Sequence, residues 1–153
     1  LSLATDEKYK NIVNKKVKKR EGWRPFCPTI IEEKSNEFLK NATYAPYMIL
    51  GFEMKNPDLY AAVSHVDGTT RPQILKKDMN SDFYEVVKGV GGIILNTSFN
   101  LAGDPIVETP YDALMTLKNS EMDAVIINDF LIEKNNWFYG YWIKNFWIIY
   151  YDF

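Results

Sequence analysis

Short apolar, β-branched runs alternate along this chain with segments whose apolar residues recur at helical spacing, and that alternation limits the possible folds most. Tyr9, Ile12, Val13 and Val17 form one helical stripe, with Thr5 or Asp6 placed to cap it. "EGWRPFCPTII" follows, and its two prolines hold it extended. "EEKSNEFLKN" reads as a short helix, whereas "PYMILGFEM" and "YAAVSHVDG" read as strands, the second ending in an Asp-Gly turn. "SDFYEVVKGV" reads as a helix capped by Ser81, and "GGIILNTSFN" as a buried strand running into polar residues. Thr109, Pro110 and Asp112 occupy the N-cap, first and third positions of a further helix. "AVII" and "FLIE", joined by Asn128-Asp129, read as a tight hairpin. The predicted fold class is α/β, in the mixed α+β sense, and 153 residues suffice for one domain with a real core.

The formal net charge of −2 exerts no global pull on nucleic acid or anionic membrane, so any anion site must be local. A single cysteine, Cys27, rules out an internal disulfide and fits a reducing compartment, so a cytoplasmic location is expected. No signal-peptide pattern or long apolar span occurs, and no membrane partner is expected. With one histidine and one cysteine, a thiolate–imidazole metal site or nucleophile pair is hard to assemble.

Three polar clusters stand out. In "VNKKVKKREGWRPF", a helix continuing past Val17 would aim Arg20 into the apolar stripe, where an unpaired guanidinium is costly. If the chain instead goes extended at Val17, Lys18 and Arg20 share a face and make a fork of donors suited to phosphate or carboxylate. Arg24, held extended by Pro25, adds a third cation; the plain alternative is the solvated end of a helix. Asn96, Ser98 and Asn100 alternate just past a buried strand, where open α/β sheets place ligands; a turn rich in Asx motifs is the competing reading. In "SHVDGTTRPQ", His65, Asp67 and Arg71 line one side if the chain stays extended, although a lone histidine is commonly a structural hydrogen-bonder.

"VNKKVKKREGWRPFCPTI", "HVDGTTRPQ" and "LNTSFNLAGDPIVETPYDAL" together resemble the C-terminal region of the carbamoyltransferase family that includes nodulation carbamoyltransferases and antibiotic O-carbamoyltransferases. The resemblance covers residues 2–134. It implies a YrdC-like fold, a twisted mixed sheet flanked by helices, similar to domains that make threonylcarbamoyl-adenylate in tRNA modification. Their Lys-x-Arg and Ser-x-Asn set around the nucleotide falls on Lys18, Arg20, Ser98 and Asn100. The implied reaction uses carbamoyl phosphate and ATP with magnesium to form carbamoyl-adenylate, which a separate N-terminal transferase domain delivers to a substrate hydroxyl. By resemblance Lys18 and Arg20 are the catalytic pair, Arg24, His65 and Arg71 bind phosphate, and Asn96, Ser98 and Asn100 orient the nucleotide. Asp67 is placed with the magnesium.

Family members usually carry a GPRALGNRS-like stretch before the first helix, and this chain opens at "LSLA" without it. The expectation is therefore an N-terminally truncated domain over residues 1–136, with the transferase domain supplied by a longer protein or a partner chain. Residues 137–153 form an aromatic tail with three of the four tryptophans, expected to pack on the domain or at an interface. A rival function is a non-catalytic relic that docks through this tail. RNA binding is a weaker third reading, since Lys144 is the only cation among those aromatics.

Overall fold

The computed structural model describes residues 1–134 and the backbone of residues 150–151. Helix α1 spans Glu7–Ile12, capped by the Asp6 carboxylate, which accepts from the Lys8 N–H at 2.8 Å. It continues as a π-helical turn over Val13–Val17. Strand β1 (Cys27–Ile31) leads through a 3-10 turn (Glu32–Lys34) into the short helix α2 (Ser35–Phe38). Two-residue strands β2 (Phe52–Glu53) and β3 (Thr69–Thr70) follow, then β4 (Gln73–Leu75) and helix α3 (Ser81–Gly89). The chain continues with β5 (Ile93–Asn96), α4 (Pro110–Lys118), the hairpin β6 (Ala124–Ile127) and β7 (Phe130–Glu133), and β8 (Tyr150–Tyr151).

This is a mixed α/β architecture with three small sheets: β4-β1-β5, β2-β3 and β7-β6-β8. In the first, β1 is central, parallel to β4 and antiparallel to β5. A proline inside a central strand is unusual because it has no N–H for the ladder. Pro28 is tolerated here for a local reason. Its partner across the sheet, Leu95, turns its own N–H and carbonyl the other way, to Ser2 at 2.8 and 3.0 Å. On its other side the β4 ladder begins only at Thr29.

Strand alternation then divides the core. Ile30, Ile74, Ile93 and Leu95 face the larger cluster, together with Val13, Val17 and Leu117. Ile31, Leu75 and Ile94 face the opposite way, onto Tyr84 and Val87 of α3. Farther along that second face the residues turn polar. Asn96 donates to Thr29 Oγ1 at 2.9 Å, and Thr29 donates to Gln73 Oε1 at 2.9 Å, so one chain of hydrogen bonds crosses all three strands.

Several local expectations hold. Thr109 and Asp112 form a reciprocal capping box at α4, with Pro110 first in the helix. Asn128 takes a left-handed φ of 52° at the β6–β7 turn. Others need correction. Residues 46–51 are turn and loop rather than strand; Met48 is left-handed, and Tyr47, Ile49 and Leu50 are exposed. Residues 60–68 are turns and loop rather than strand, and the Tyr60 carbonyl collects the N–H groups of Val63 and Ser64. The cap of α3 is Asn80, whose side chain accepts from Phe83 N–H at 2.8 Å, not Ser81. Apart from the backbone of β8, the expectation placed on the aromatic tail lies outside the described residues.

Candidate functional site

The site begins where α1 ends. Lys18 N–H bonds to Val13 O at 2.7 Å, closing a ring one residue wider than an α-turn. Such a ring rotates the chain less per residue, so Lys18 comes round towards the Val13–Val17 side instead of pointing to solvent. Lys19 then adopts a left-handed φ of 48° and reverses the chain, with Arg20 N–H returning to Asn14 O at 2.9 Å. The extended Lys-x-Arg fork is thus corrected: the pair is set by a π-turn and one left-handed residue.

Asn14 ties this bend together. It is fully buried, at 0% exposure, and its amide donates to Gly22 O at 3.3 Å and Arg24 O at 2.9 Å. Its carbonyl accepts from Arg20 Nε at 2.7 Å, while the guanidinium lies 4.7 Å above the Phe26 ring. Sequence reasoning missed Asn14; its one signal is a weak helix former inside an otherwise helical stripe, four residues before Lys18.

Lys18 is only 4% exposed. Its ammonium meets the carbonyl and hydroxyl of Ser98 at 2.5 and 3.2 Å, from a residue 80 positions later. The carbonyl and side-chain oxygen of Asn100 add contacts at 2.9 and 2.7 Å. An ammonium has three protons, so four oxygens already exceed its capacity. All four are neutral; among the described residues no carboxylate pairs with Lys18. Burial, and then the Arg20 cation, bring its pKa down to about 8. Burial also lowers Arg20, with Arg24 adding and Glu21 opposing. Lys18, desolvated beside a second cation with no carboxylate of its own, is an arrangement that an incoming anion relieves.

The oxygens are held by the loop after β5. Ser98 Oγ donates to Asn100 Oδ1 at 2.8 Å, and Asn100 Nδ2 donates to Asp104 O at 2.8 Å. Val107 N–H bonds to Phe99 O at 2.9 Å, and buried Phe99 anchors the loop in the core. Ser98 and Asn100 therefore converge on Lys18. Asn96 does not join them: it is held in the sheet by Thr29 and Gln73.

The remaining candidates spread around this centre. Arg24 is exposed and 3.5 Å from Glu21. Arg71 is exposed but reaches Cys27, whose thiol is pushed up by burial and pulled back by that guanidinium. Since Cys27 pairs with Asn96, Arg71 stands at the same end of the sheet as the Lys18 loop. His65 is half-buried and within electrostatic reach of Asp67, Arg71 and Lys10. Asp67 accepts from both the N–H and the hydroxyl of Thr69, at 3.0 and 2.7 Å, and so closes a turn. Among the described residues there is no group of three His, Cys, Asp or Glu side chains that could hold a metal ion.

Only about 20 Å³ is open beside Lys18, between Val13, Val17, Thr97 and Ser98. A larger cleft, of about 250 Å³, lies along α4 but is lined by Asp104, Glu108 and Asp112 with no cation, which disfavours a polyanion. No helix among the described residues is long and apolar enough to cross a membrane.

Comparison with known proteins agrees with the sequence motifs. The family described as Carbamoyltransferase C-terminus matches residues 1–134. An uncharacterized protein of Methanocaldococcus jannaschii is 39% identical over 141 residues, covering 88% of this chain and 27% of its own length. The nodulation protein NolNO of Sinorhizobium fredii is 38% identical over 135 residues, covering 82% and 20%. The 3'-hydroxymethylcephem-O-carbamoyltransferase of Amycolatopsis lactamdurans is 24% identical over 119 residues, covering 74% and 23%. The chain thus spans about a quarter or less of these relatives. On the family match and the shared sequence, it belongs to the carbamoyltransferase C-terminus family.

Proposed function

We propose that this chain forms carbamoyl-adenylate, for transfer to a substrate hydroxyl by a separate N-terminal domain of the same protein or a partner chain. Carbamoyl phosphate and water give carbamate and inorganic phosphate. A carbamate oxygen then attacks the α-phosphorus of ATP, the bond to the bridging oxygen breaks, and pyrophosphate leaves. The acceptor hydroxyl later attacks the carbamoyl carbon and releases AMP. Family membership and the name of the cephem carbamoyltransferase support the carbamoyl chemistry. A mixed sheet with its polar residues at one end supports the YrdC-like fold.

The observation that carries this reading is the Lys18 ammonium, buried without an acid and held by Ser98 and Asn100. Neutral oxygens release such a cation to phosphate more readily than a carboxylate would. In the reaction Lys18 and Arg20 neutralise charge gathering on the phosphoryl oxygens, and Arg24 and Arg71 extend the cationic surface. Freed from Lys18, the Ser98 hydroxyl and Asn100 amide orient the nucleotide. Magnesium belongs with the ATP phosphates, where Asp67, engaged by Thr69 through Oδ1, can offer Oδ2.

The test is calorimetric titration of ATP with magnesium into the intact polypeptide that carries these residues, as wild type and Lys18→Ala. A charge-assisted contact of about 1.5–3 kcal/mol predicts roughly ten- to hundredfold weaker binding by the variant. Equal affinities, or no binding by either, would sink the assignment.

A further inference from the structure

Arg71 and Lys10, the latter ion-paired to Glu7 at 3.3 Å, lie within electrostatic reach of His65 and offer hydrogen-bond donors; His65 is the exception, which follows from Thr69. The Thr69 hydroxyl has one proton and gives it to the Asp67 carboxylate at 2.7 Å. Towards the His65 ring Thr69 Oγ1 can then only accept, so Nδ1, 3.3 Å away, carries the imidazole proton. Nε2 of that tautomer is a bare lone pair. It is buried and has no hydrogen-bond partner, a state that costs free energy until a donor arrives. Burial keeps the ring neutral, opposed by Asp67 and assisted by the nearby Arg71 and Lys10 cations. A neutral ring with an unpaired lone pair repels a phosphate oxygen and suits an N–H.

Carbamoyl phosphate has two unlike ends, a phosphate that needs donors and an amide nitrogen that needs an acceptor. We propose that His65 Nε2 accepts an N–H of the carbamoyl group while the surrounding cations hold the phosphate, which makes His65 the residue that distinguishes carbamoyl from other acyl phosphates. This rests on the carbamoyl phosphate reading of the site. Nε2 is shielded, so a local shift must uncover it before the amide can bind.

Calorimetry with carbamoyl phosphate, acetyl phosphate and inorganic phosphate, on the intact polypeptide as wild type, His65→Gln and His65→Leu, tests this. Acetyl phosphate keeps the phosphate and replaces the amide nitrogen with a methyl. Wild type should prefer carbamoyl over acetyl phosphate about tenfold. His65→Gln, whose Oε1 can stand in for Nε2, should keep most of that preference. His65→Leu should lose it while binding inorganic phosphate as wild type does. An unchanged preference in His65→Leu overturns the proposal; so does parallel loss of all three anions, which would make His65 a phosphate ligand or a structural part. Equal wild-type affinity for the two acyl phosphates refutes the role of His65 but leaves the site reading standing. Wild type that binds neither acyl phosphate refutes both.

Discussion

In the proposed reaction Lys18 carries most of the chemistry in one side chain. Its pKa of about 8, against 10.5 for an unperturbed lysine, gives two opposite pH dependences. Folding lowers this pKa, so between about pH 8 and 10.5 the unfolded chain binds more protons and stability rises with pH through that window. Relative to Lys18→Met, wild type should gain stability across it in urea denaturation; parallel curves for the two proteins would refute the shift. Ligand affinity should run the other way, falling as pH climbs through about 8 because the free protein loses the charge that phosphate needs. Affinity flat from pH 7 to 9 would show an ammonium that stays protonated. The types of residue were legible in the sequence, since Lys-x-Arg and Ser-x-Asn spell donors and acceptors at short spacing. Their state was not, because burial of Lys18 depends on loops brought together by the fold.

Among the elements, the end of α1 decides the geometry. The π-turn and left-handed Lys19 together are an arrangement that helical propensity disfavours, and it persists because Asn14 satisfies the carbonyls of Gly22 and Arg24. Asn14→Leu should cost about 2–3 kcal/mol by stranding those acceptors, and should also weaken ATP binding through a loosened Arg20. Thr109→Ala, which removes only a helix cap, should cost about 1 kcal/mol and leave ATP affinity unchanged. Chemical denaturation paired with calorimetry separates these outcomes, and an Asn14 variant no less stable than the Thr109 variant would contradict the role given to the bend. The α4 cap was readable because all its partners lie within three residues. The strand expected at 60–68, and the first part (46–51) of the one expected at 46–54, show the limit of such reading. Their apolar composition fits a ladder, but at 60–68 local turn hydrogen bonds take the N–H groups of Val63, Ser64 and Gly68, and at 46–51 the left-handed Met48 bends the chain.

For the whole molecule, β1 is the partition between two cores, with Ile30 facing one and Ile31 the other. Ile30→Val and Ile31→Val should each cost about 0.5–1.5 kcal/mol. They act on opposite faces of one strand, so in the double variant the costs should add to within about 0.5 kcal/mol. Marked non-additivity, or two separate unfolding transitions, would mean that the clusters do not share a cooperative unit. This same sheet explains how a chain of net charge −2 keeps a cationic site: Cys27 and Asn96, paired at one end, hold Arg71 and the Ser98 loop where Lys18 emerges. The sequence by itself determined the mixed α/β class, the cap of α4, the β6–β7 hairpin and the family, because each is carried by neighbouring residues or contiguous motifs. Only the tertiary structure decided that Lys18 is buried against Ser98 and Asn100, that Asn96 is withdrawn into the sheet, and that His65 Nε2 is buried without a partner. Those outcomes depend on contacts between segments far apart in the chain, and burial sets their protonation and partners in ways that no local spacing encodes.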